Sequence, residues 1–359
     1  MSIDYEKLKG QPRLLLEAQL KPLQGDRFQP TGFADLGPAR YSLPDGTEML
    51  LLESAQSVAN RMELACWNEE SDDLIEELKG LPYIRIDCGD LGKTNTIKEF
   101  HRLNSPYIWT GDGDDAMKRF RQNFLDDLGV KTARKKKAKQ SSDADNEGTT
   151  EVPGVLDFQK LYKTAFKWDT NSVLHGLFLE KVAGRLRMTR ALSGFIEARK
   201  VASVDSGGAK VDHVLPSPKH LGLSADDGFG NVPFHRTEFT ADEIKAYFNL
   251  DLALLRGYGL GDEATRLLIA LALFKIRRFL STGLRLRTAC DLEVVGDVSV
   301  ARPAGLIVPD EQALLQECQT LIGKCRAQFA GITEVVWRPS EKKTKSKKAT
   351  VPEVEEDEA

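Results

Sequence analysis

The sequence predicts a mixed α+β fold in which a β-α-β-β-α-β unit carries long insertions. Apolar strand-like segments alternate with two helical segments in that order. The composition, 41% hydrophobic and 29% charged, is typical of a folded chain, and 359 residues leave room for insertions. The six segments are Arg13–Leu20, Ser54–Trp67, Leu192–Val204, Lys245–Leu255, Asp262–Leu280 and Leu284–Val295. Ferredoxin-like and RRM-like units have this order of elements.

The first strand and the first helix are separated by a long loop. Arg13–Leu20 is mostly apolar and predicts a strand, whereas the Gly- and Pro-rich stretch Gln24–Gly37 predicts a loop. A short strand is predicted at Met49–Leu52. Ser54 is a favoured N-cap residue, and apolar side chains recur on one face after it, so a helix is predicted over Ser54–Trp67.

Residues 61–155 predict an inserted subdomain. Helical pieces at Asp72–Leu78 and Asp114–Leu128 enclose a short strand at Tyr83–Asp87. Residues 129–152 are rich in Lys, Ser, Asp and Gly, which predicts a disordered loop containing the basic run Lys131–Lys139. A solvated loop explains this run as well as a nucleic-acid contact does.

The second half of the chain supplies the other elements of the unit and an arm. The Gly-, Pro- and Asp-rich stretch 205–233 is long enough for a protruding hairpin. The helix Asp262–Leu280 has acidic residues at its start and basic residues near its end, as the helix dipole favours. The remaining predicted elements are helices at Phe158–Lys167, Asn171–Lys181 and Gln312–Phe329, a strand at Ile332–Trp337, and a disordered tail from Ser340.

Composition and spacing argue against several classes of protein. The most apolar run, Leu267–Phe274, meets Lys275 at once and falls short of the ~20 apolar residues of a membrane span. The five cysteines are scattered, and the histidines lack metal-ligand spacing, so neither a disulfide framework nor a zinc site is indicated. We therefore expect buried reduced thiols and no membrane span, metal or cofactor. The start of the chain lacks the pattern of a secretory signal, which predicts a cytoplasmic protein.

Two short patterns suggest chemistry, and each has a simpler explanation. Gly92-Lys93-Thr94 resembles part of a phosphate-binding loop, but the position of its first glycine is occupied by Asp87. His175 and His235 are candidates for acid-base work in RNA cleavage, because imidazole titrates near neutral pH. Packing or phosphate binding explains these histidines more simply.

Arginines and a glycine-rich loop indicate an anionic partner. Alternation places Arg285 and Arg287 on one face of a strand, where two guanidinium groups repel unless an anion or an acidic side chain lies between them. The loop from Gly25 to Gly37 combines Arg27 with Phe28, a combination that suits single-stranded nucleic acid. A loop that packs on its own aromatic residues is the alternative.

Five segments together resemble a known family. They are Gln24–Gly37, Leu52–Arg61, Asn171–Gly176, Val232–Phe239 and Leu284–Leu292. In this order they resemble the RAMP-superfamily backbone subunit of type I-G (formerly I-U) CRISPR effector complexes, which are Cascade-like ribonucleoprotein complexes. The resemblance covers roughly residues 13–295.

The resemblance implies a subunit that polymerises along a guide RNA, the crRNA, and presents it for pairing with target DNA in antiviral defence. The implied partners are crRNA, target DNA through the guide, copies of itself, the other Cascade subunits and a separate helicase-nuclease. The implied parts are an RRM-like palm (residues 10–60, 156–204 and 236–339), a helical finger insertion (61–155), a thumb arm (205–235) and a disordered tail (340–359).

The resemblance also implies a set of RNA-binding residues. The motifs that match the family's guide contacts contain Arg27, Gln29, Ser54, Gln56, Asn60 and Arg61, and a helix N-terminus attracts phosphate. Charge adds His175, Arg187, Lys275, Arg278, Arg285 and Arg287. Val232 and Phe234 are expected to form the wedge of the thumb. No catalytic or metal-binding residue is expected.

Two other functions remain open from the sequence. One is a metal-independent endoribonuclease of the same superfamily, with His175 or His235 as acid or base. Related type III backbone subunits cut RNA with a loop aspartate, and Asp26 and Asp35 lie in such a loop here. The other is a metabolic enzyme that uses Gly92-Lys93-Thr94. The closer type I resemblance favours a subunit without chemistry of its own.

Overall fold

The computed structural model describes residues 2–33, 36–133, 150–152, 157–180, 182, 185–215, 221–224 and 228–340. The strands are β1 (Arg13–Pro22), β2 (Gly32–Phe33), β3 (Gly37–Pro38), β4 (Arg40–Ser42), β5 (Glu48–Glu53), β6 (Trp67–Asn68), β7 (Asp73–Leu74), β8 (Tyr83–Asp87), β9 (Lys93–Asn95), β10 (Asp112–Gly113), β11 (Lys131–Ala133), β12 (Thr150–Val152), β13 (Leu177–Leu179), β14 (Leu186–Met188), β15 (Leu192–Arg199), β16 (Ala202–Lys210), β17 (Val232–Thr240), β18 (Glu243–Asp251), β19 (Arg285–Arg287), β20 (Cys290–Val294), β21 (Ser299–Arg302) and β22 (Ile332–Arg338). The α-helices are α1 (Tyr5–Leu8), α2 (Ala55–Leu64), α3 (Pro106–Trp109), α4 (Asp115–Leu128), α5 (Phe158–Trp168), α6 (Thr170–His175), α7 (Leu252–Gly257), α8 (Asp262–Thr282) and α9 (Glu311–Cys325). The predicted mixed α+β class is confirmed.

An antiparallel sheet forms the centre of the protein. Its strand order is β19-β20-β1-β18-β15-β5-β4, and β21 also pairs with β1. In the central pair, β1 runs antiparallel to β18 with Leu16 opposite Phe248. Along the chain, β1, α2, β15, β18, α8 and β20 follow one another as strand, helix, strand, strand, helix and strand. β5 and β4 extend the sheet beyond β15.

One face of this sheet packs on helices. Alternate residues of β1, namely Leu14, Leu16, Ala18 and Leu20, are buried, as the two-residue period of a strand requires. Helix α8 packs against α2, α9 and β18. Lys275 is the charged residue among the buried side chains of α8. In the described ranges, no helix is both long and apolar enough to cross a membrane.

A second sheet joins the inserted segment to the end of the described chain. Its strand order is β10-β22-β8-β9, with β22 parallel to β8. The predicted strand Ile332–Trp337 is present, but it pairs with the insertion and not with the central sheet. Val335 of β22 is buried, as are Ile84 and Ile86 of β8, so apolar burial explains this placement.

Three long predicted strands are each divided by a turn. The segment 245–255 contains the end of β18 and then α7, because the Asp251 side chain accepts a hydrogen bond from the backbone N–H of Leu254 and caps a helix. The segment 284–295 is divided between β19 and β20 at Ala289, whose φ is 58°. The segment 192–204 is divided between β15 and β16 next to Lys200, whose φ is 51°.

Two predicted helices are also shorter than expected. The segment 72–78 contains β7 and a single helical turn. Helix α6 ends at His175, because Gly176 has a φ of 86° that ends the helix. A Cβ atom at Gly176 would lie 3.1 Å from the carbonyl oxygen of Met188. This glycine therefore allows β13 and the strand after it to approach the helix closely.

An arm extends from the central sheet. β16 and β17 pair antiparallel along their whole length, from Ala202 opposite Thr240 to Lys210 opposite Val232. Most side chains of β16 are exposed. At the Lys-rich loop predicted over 129–152, β11 and β12 pair with each other. Residues 134–149 of that loop, residues 341–359 of the tail and Asp35 lie outside the described residues.

Candidate nucleic-acid interface

Three distant segments meet at the buried carboxylate of Glu53. Arg61 of α2 donates from Nε to Glu53 Oε1 at 3.1 Å, and Arg287 donates to Oε2. Arg287 also donates to the carbonyl oxygens of Leu52 at 2.8 Å and Gln29 at 3.2 Å. The glycine-rich loop, the start of α2 and the β19–β20 hairpin are therefore held together at this residue.

The Glu53 cluster, formed by Glu53, Arg61 and Arg287, carries a net positive charge, because two guanidinium groups share one carboxylate. Arg61 further donates to the carbonyl oxygens of Arg285, at 3.3 Å, and Leu286. Of the two arginines predicted to share a strand face, Arg287 pairs with an acidic side chain, whereas Arg285 is exposed. Arg285 is therefore a cation that this hairpin presents to solvent, opposite Asp291 in the strand pair.

A second carboxylate is shared by two arginines in the same way. Arg27 NH1 lies 3.3 Å from Glu238 Oε2, and Arg236 NH2 lies 2.5 Å from Glu238 Oε1. Backbone hydrogen bonds between Phe28 and Phe239 fix the loop against β17. The Arg27 side chain remains 56% exposed. The Glu238 cluster, formed by Glu238, Arg27 and Arg236, thus also presents a cation to solvent.

The first turn of α2 continues this surface. Ser54 caps the helix, and its Oγ accepts a hydrogen bond from the backbone N–H of Ser57. The exposed Gln56 donates to Asn60 Oδ1 at 3.1 Å and accepts from Arg190 NH2 at 2.7 Å. The positive end of the helix dipole therefore lies beside two side-chain amides and a guanidinium group.

The structure brings most of the predicted RNA-binding residues together. Contacts join Gln29, Arg61, Arg285 and Arg287 around Glu53, and Gln56 to Asn60, while Arg27 and Ser54 lie within two residues of these groups along the chain. Arg187 is exposed on β14, and its guanidinium lies 4.8 Å from the centroid of the Phe178 ring. The two predicted wedge residues lie on the arm, where Val232 is half-buried and Phe234 is 48% exposed.

Three predicted RNA contacts are occupied by other interactions. His175 and Lys275 are each only 2% exposed, and Lys275 Nζ lies 3.0 Å from His175 Nε2. Both side chains are buried against each other and neither lies on the cationic surface, so both predicted phosphate contacts need correction. Arg278 NH1 donates to Glu311 at 2.6 Å, so this guanidinium joins α8 to the first turn of α9.

The buried histidine and lysine belong to a charged network in the core. Arg102 donates to both carboxylate oxygens of Glu63, at 2.5 and 2.7 Å, and Asn171 donates to Glu63 Oε1 at 2.5 Å. Lys275 donates in turn to Asn171 Oδ1. One member of the network, Glu63, could have been found from the sequence, because it is an acidic residue on the apolar face of an amphipathic helix. Its partners Arg102, Asn171 and Lys275 lie far along the chain, and no sequence pattern connects them to it.

The surroundings of His175 fix its protonation state. An ammonium group has only donors, so Nε2 accepts from Lys275 and the ring proton lies on Nδ1. Burial, followed by the charges of Lys275, Arg102 and Arg190, holds the pKa of His175 well below its usual range. The ring is therefore a neutral N–H donor at physiological pH. Its Nδ1 has no hydrogen-bond partner among the described residues.

Replacing Arg61 with alanine is expected to destabilise the fold. The change removes an ion pair with the buried Glu53 and two hydrogen bonds to the β19–β20 hairpin, which predicts a loss of about 1–3 kcal/mol. Urea denaturation of this variant measures the loss. The matched control is Arg119→Ala, which removes an exposed guanidinium from α4. Equal unfolding free energies in the two variants would contradict a structural role for Arg61.

The five cysteines are buried, as predicted. In the part of the chain that the structure describes, no three His, Cys, Asp or Glu side chains lie together as a metal site would require.

Comparisons with known proteins place the chain in a family. The model of the family described as CRISPR-associated protein GSU0053 (Cas_GSU0053) matches residues 14–203, which is just over half of the chain. A solved structure titled "CRISPR RNA-guided surveillance complex, pre-nicking" is 15% identical, with a TM-score of 0.40, and the match covers 88% of this chain and 89% of that one. The crystal structure of Thermofilum pendens Csc2 is 10% identical, with a TM-score of 0.32, and the match covers 91% and 81%. TM-scores of this size establish neither the fold nor a function. A search of curated proteins finds no match. On the family match, the chain belongs to the CRISPR-associated GSU0053 family.

Proposed function

We propose that this protein is a guide-RNA-binding backbone subunit of a type I CRISPR complex, of the I-G subtype, and that it catalyses no reaction. The observation that carries the proposal is the convergence of the glycine-rich loop, the start of α2 and the β19–β20 hairpin on one cationic surface. Membership of a CRISPR-associated family supports it.

The chemistry of this surface suits an RNA backbone. Arginine forms paired, charge-assisted hydrogen bonds to phosphate, which lysine does not match. Glu238 holds the exposed Arg27 in place, and the Glu53 cluster anchors the hairpin that carries the exposed Arg285, so less side-chain freedom is lost when a phosphate binds. The two clusters are close along the chain, because the carbonyl oxygen of Gln29 accepts a hydrogen bond from Arg287 and Gln29 lies two residues after Arg27. An extended strand of RNA can therefore engage both clusters.

In this function the regions of the fold correspond to a palm, a finger and a thumb. The central sheet with α2 and α8 is the RRM-like palm, the insertion that contains β8 and α4 is the finger, and the β16–β17 arm is the thumb with Val232 and Phe234 as its wedge. Copies of this subunit would lie along the crRNA in the cytoplasm and present it to target DNA. Other Cascade subunits and a separate helicase-nuclease would complete the defence.

The environment of His175 argues against a part for this residue in RNA cleavage. His175 is a buried neutral donor whose Nε2 accepts from Lys275, so it serves neither as an acid nor as a base at neutral pH. His235 lies on the arm, 73% exposed, 3.7 Å from Asp205. Asp26 is exposed in the glycine-rich loop, next to Arg27 in the sequence. We assign the surface to binding, and RNA cleavage by the purified protein is the test of that assignment.

The purified protein is expected to bind single-stranded CRISPR-repeat RNA and to leave it intact. Fluorescence anisotropy measures binding, and a denaturing gel after incubation with EDTA measures cleavage. Site-specific cleavage that is lost in His235→Ala would contradict the proposal and favour the endoribonuclease. A protein that binds no RNA at moderate salt would contradict the binding role itself.

A further inference from the structure

A concave pocket lies next to the proposed RNA surface. Its volume is about 360 Å³, and it opens between the first turn of α2, the segment before α3 and the β13–β14 hairpin. Gln56 lines it, so the pocket is continuous with the start of α2. Its lining includes Phe100, His175, Phe178, Arg187 and Arg190.

One wall of the pocket has the chemistry that binds a flat aromatic ring. The Arg187 guanidinium lies 4.8 Å from the centroid of the Phe178 ring, and both side chains are exposed. Phe100, which also lines the pocket, is 59% exposed. Exposed apolar side chains that are grouped in one place mark a binding site, whereas single ones are ordinary. Aromatic rings and arginine planes are the groups on which proteins stack nucleobases.

The rest of the pocket presents donors and positive charge. Arg190 uses three of its five N–H groups on His175 O, Ala55 O and Gln56 Oε1, so two remain. No carboxylate lines the pocket within the described ranges.

A buried polar atom of the lining also lacks a partner. His175 is 98% buried and lines the pocket, and its Nδ1–H donates to no group in the described part of the chain. An unpaired buried donor is costly unless a ligand supplies an acceptor. A ligand with an aromatic ring, acceptor atoms and negative charge satisfies all of these features.

We propose that this pocket binds one nucleotide, with its base on the Phe178–Arg187 pair and its phosphate at Arg190. The observations define the chemistry of a nucleotide, which either an RNA chain or a free nucleotide supplies. We place an RNA nucleotide there, because the pocket opens at the first turn of α2. The choice of an RNA chain over a free nucleotide rests on the proposed function, whereas the inference that the pocket binds a nucleotide does not.

The test uses two exposed residues whose replacement leaves the core intact, Phe178→Ala and Arg187→Ala, with Arg119→Ala as a matched charge control. The probes are a single-stranded oligouridine of about 20 nucleotides and uridine 5′-monophosphate. Both are titrated into the full chain, and thermal melting verifies that each variant is folded. Loss of one stacked base is expected to weaken RNA binding roughly tenfold in the two pocket variants and not in the control.

Each outcome has a distinct meaning. Weaker RNA binding in both pocket variants, with the mononucleotide bound only at millimolar concentration, supports an RNA nucleotide in the pocket. Tight mononucleotide binding that Phe178→Ala abolishes, with RNA binding unchanged, supports the same chemistry with a free nucleotide as its source. If both variants bind both probes as the control does, the pocket proposal is overturned while the RNA-binding function stands. If the wild type binds no RNA, the proposed function fails, and the mononucleotide titration alone decides on the pocket.

Discussion

Replacing Arg102 with leucine is expected to lower the free energy of unfolding by about 3–5 kcal/mol, because it leaves the Glu63 carboxylate buried without its guanidinium partner. Arg102 is 6% exposed and Glu63 is 1% exposed, and two hydrogen bonds join them. A surface ion pair would contribute about 1 kcal/mol or less. Chemical denaturation with circular dichroism detection measures the change.

A triple variant separates the missing charge from the missing packing. Arg102→Leu combined with Glu63→Leu and Lys275→Met removes the three charges of the network, so we expect it to be more stable than Arg102→Leu alone. Arg119→Leu is the control for an exposed arginine on a helix. A loss of less than 1 kcal/mol in Arg102→Leu, equal to that of the control, would contradict the buried network.

The double variant Arg27→Ala, Arg285→Ala is expected to weaken binding of single-stranded RNA about 10- to 100-fold with little change in stability. Both side chains are exposed at the edge of the arginine clusters, whereas Arg61 and Arg287 hold the fold together. Each lost phosphate contact also lowers the slope of log affinity against log salt by roughly 0.7, so the double variant should lose about 1.4. Anisotropy titrations at several salt concentrations measure both quantities.

The matched control removes two exposed arginines elsewhere, Arg119→Ala with Arg326→Ala. This control lowers the net charge by as much as the Arg27→Ala, Arg285→Ala variant does, so a difference in affinity between the two reports the position of the arginines. An equal loss of affinity in the two double variants would mean that RNA is attracted by general charge and that the described surface is not its binding site.

Short sequence patterns predicted those elements that depend only on neighbouring residues, such as β1 and the start of α2. The mostly apolar run Arg13–Leu20 identified β1, and Ser54 is the N-cap residue that its type and position indicated. The turn at Ala289 was missed, because a non-glycine residue in the left-handed region leaves no mark in the hydrophobic pattern. The pairing of β22 with β8 depends on contacts between distant segments, which no window of sequence contains.

The sequence indicated the cations of the candidate site more readily than their partners. Arg61 and Arg287 were expected to bind RNA directly, but Glu53 lies between them and makes them supports for the surface. Lys275 belongs to a basic stretch of the chain, yet helix periodicity turns it into the core toward Asn171. Residue type predicts a charge, whereas burial and the nearest carboxylate decide what that charge contacts.

The most direct test of the central claim is to purify the protein from cells that carry a CRISPR array and the neighbouring genes, and to sequence the RNA that accompanies it. The account predicts a large complex that contains discrete repeat-spacer RNAs of uniform length, and a smaller yield of that RNA from the Arg27→Ala, Arg285→Ala variant. A stably folded monomer that carries no RNA under these conditions would contradict the account.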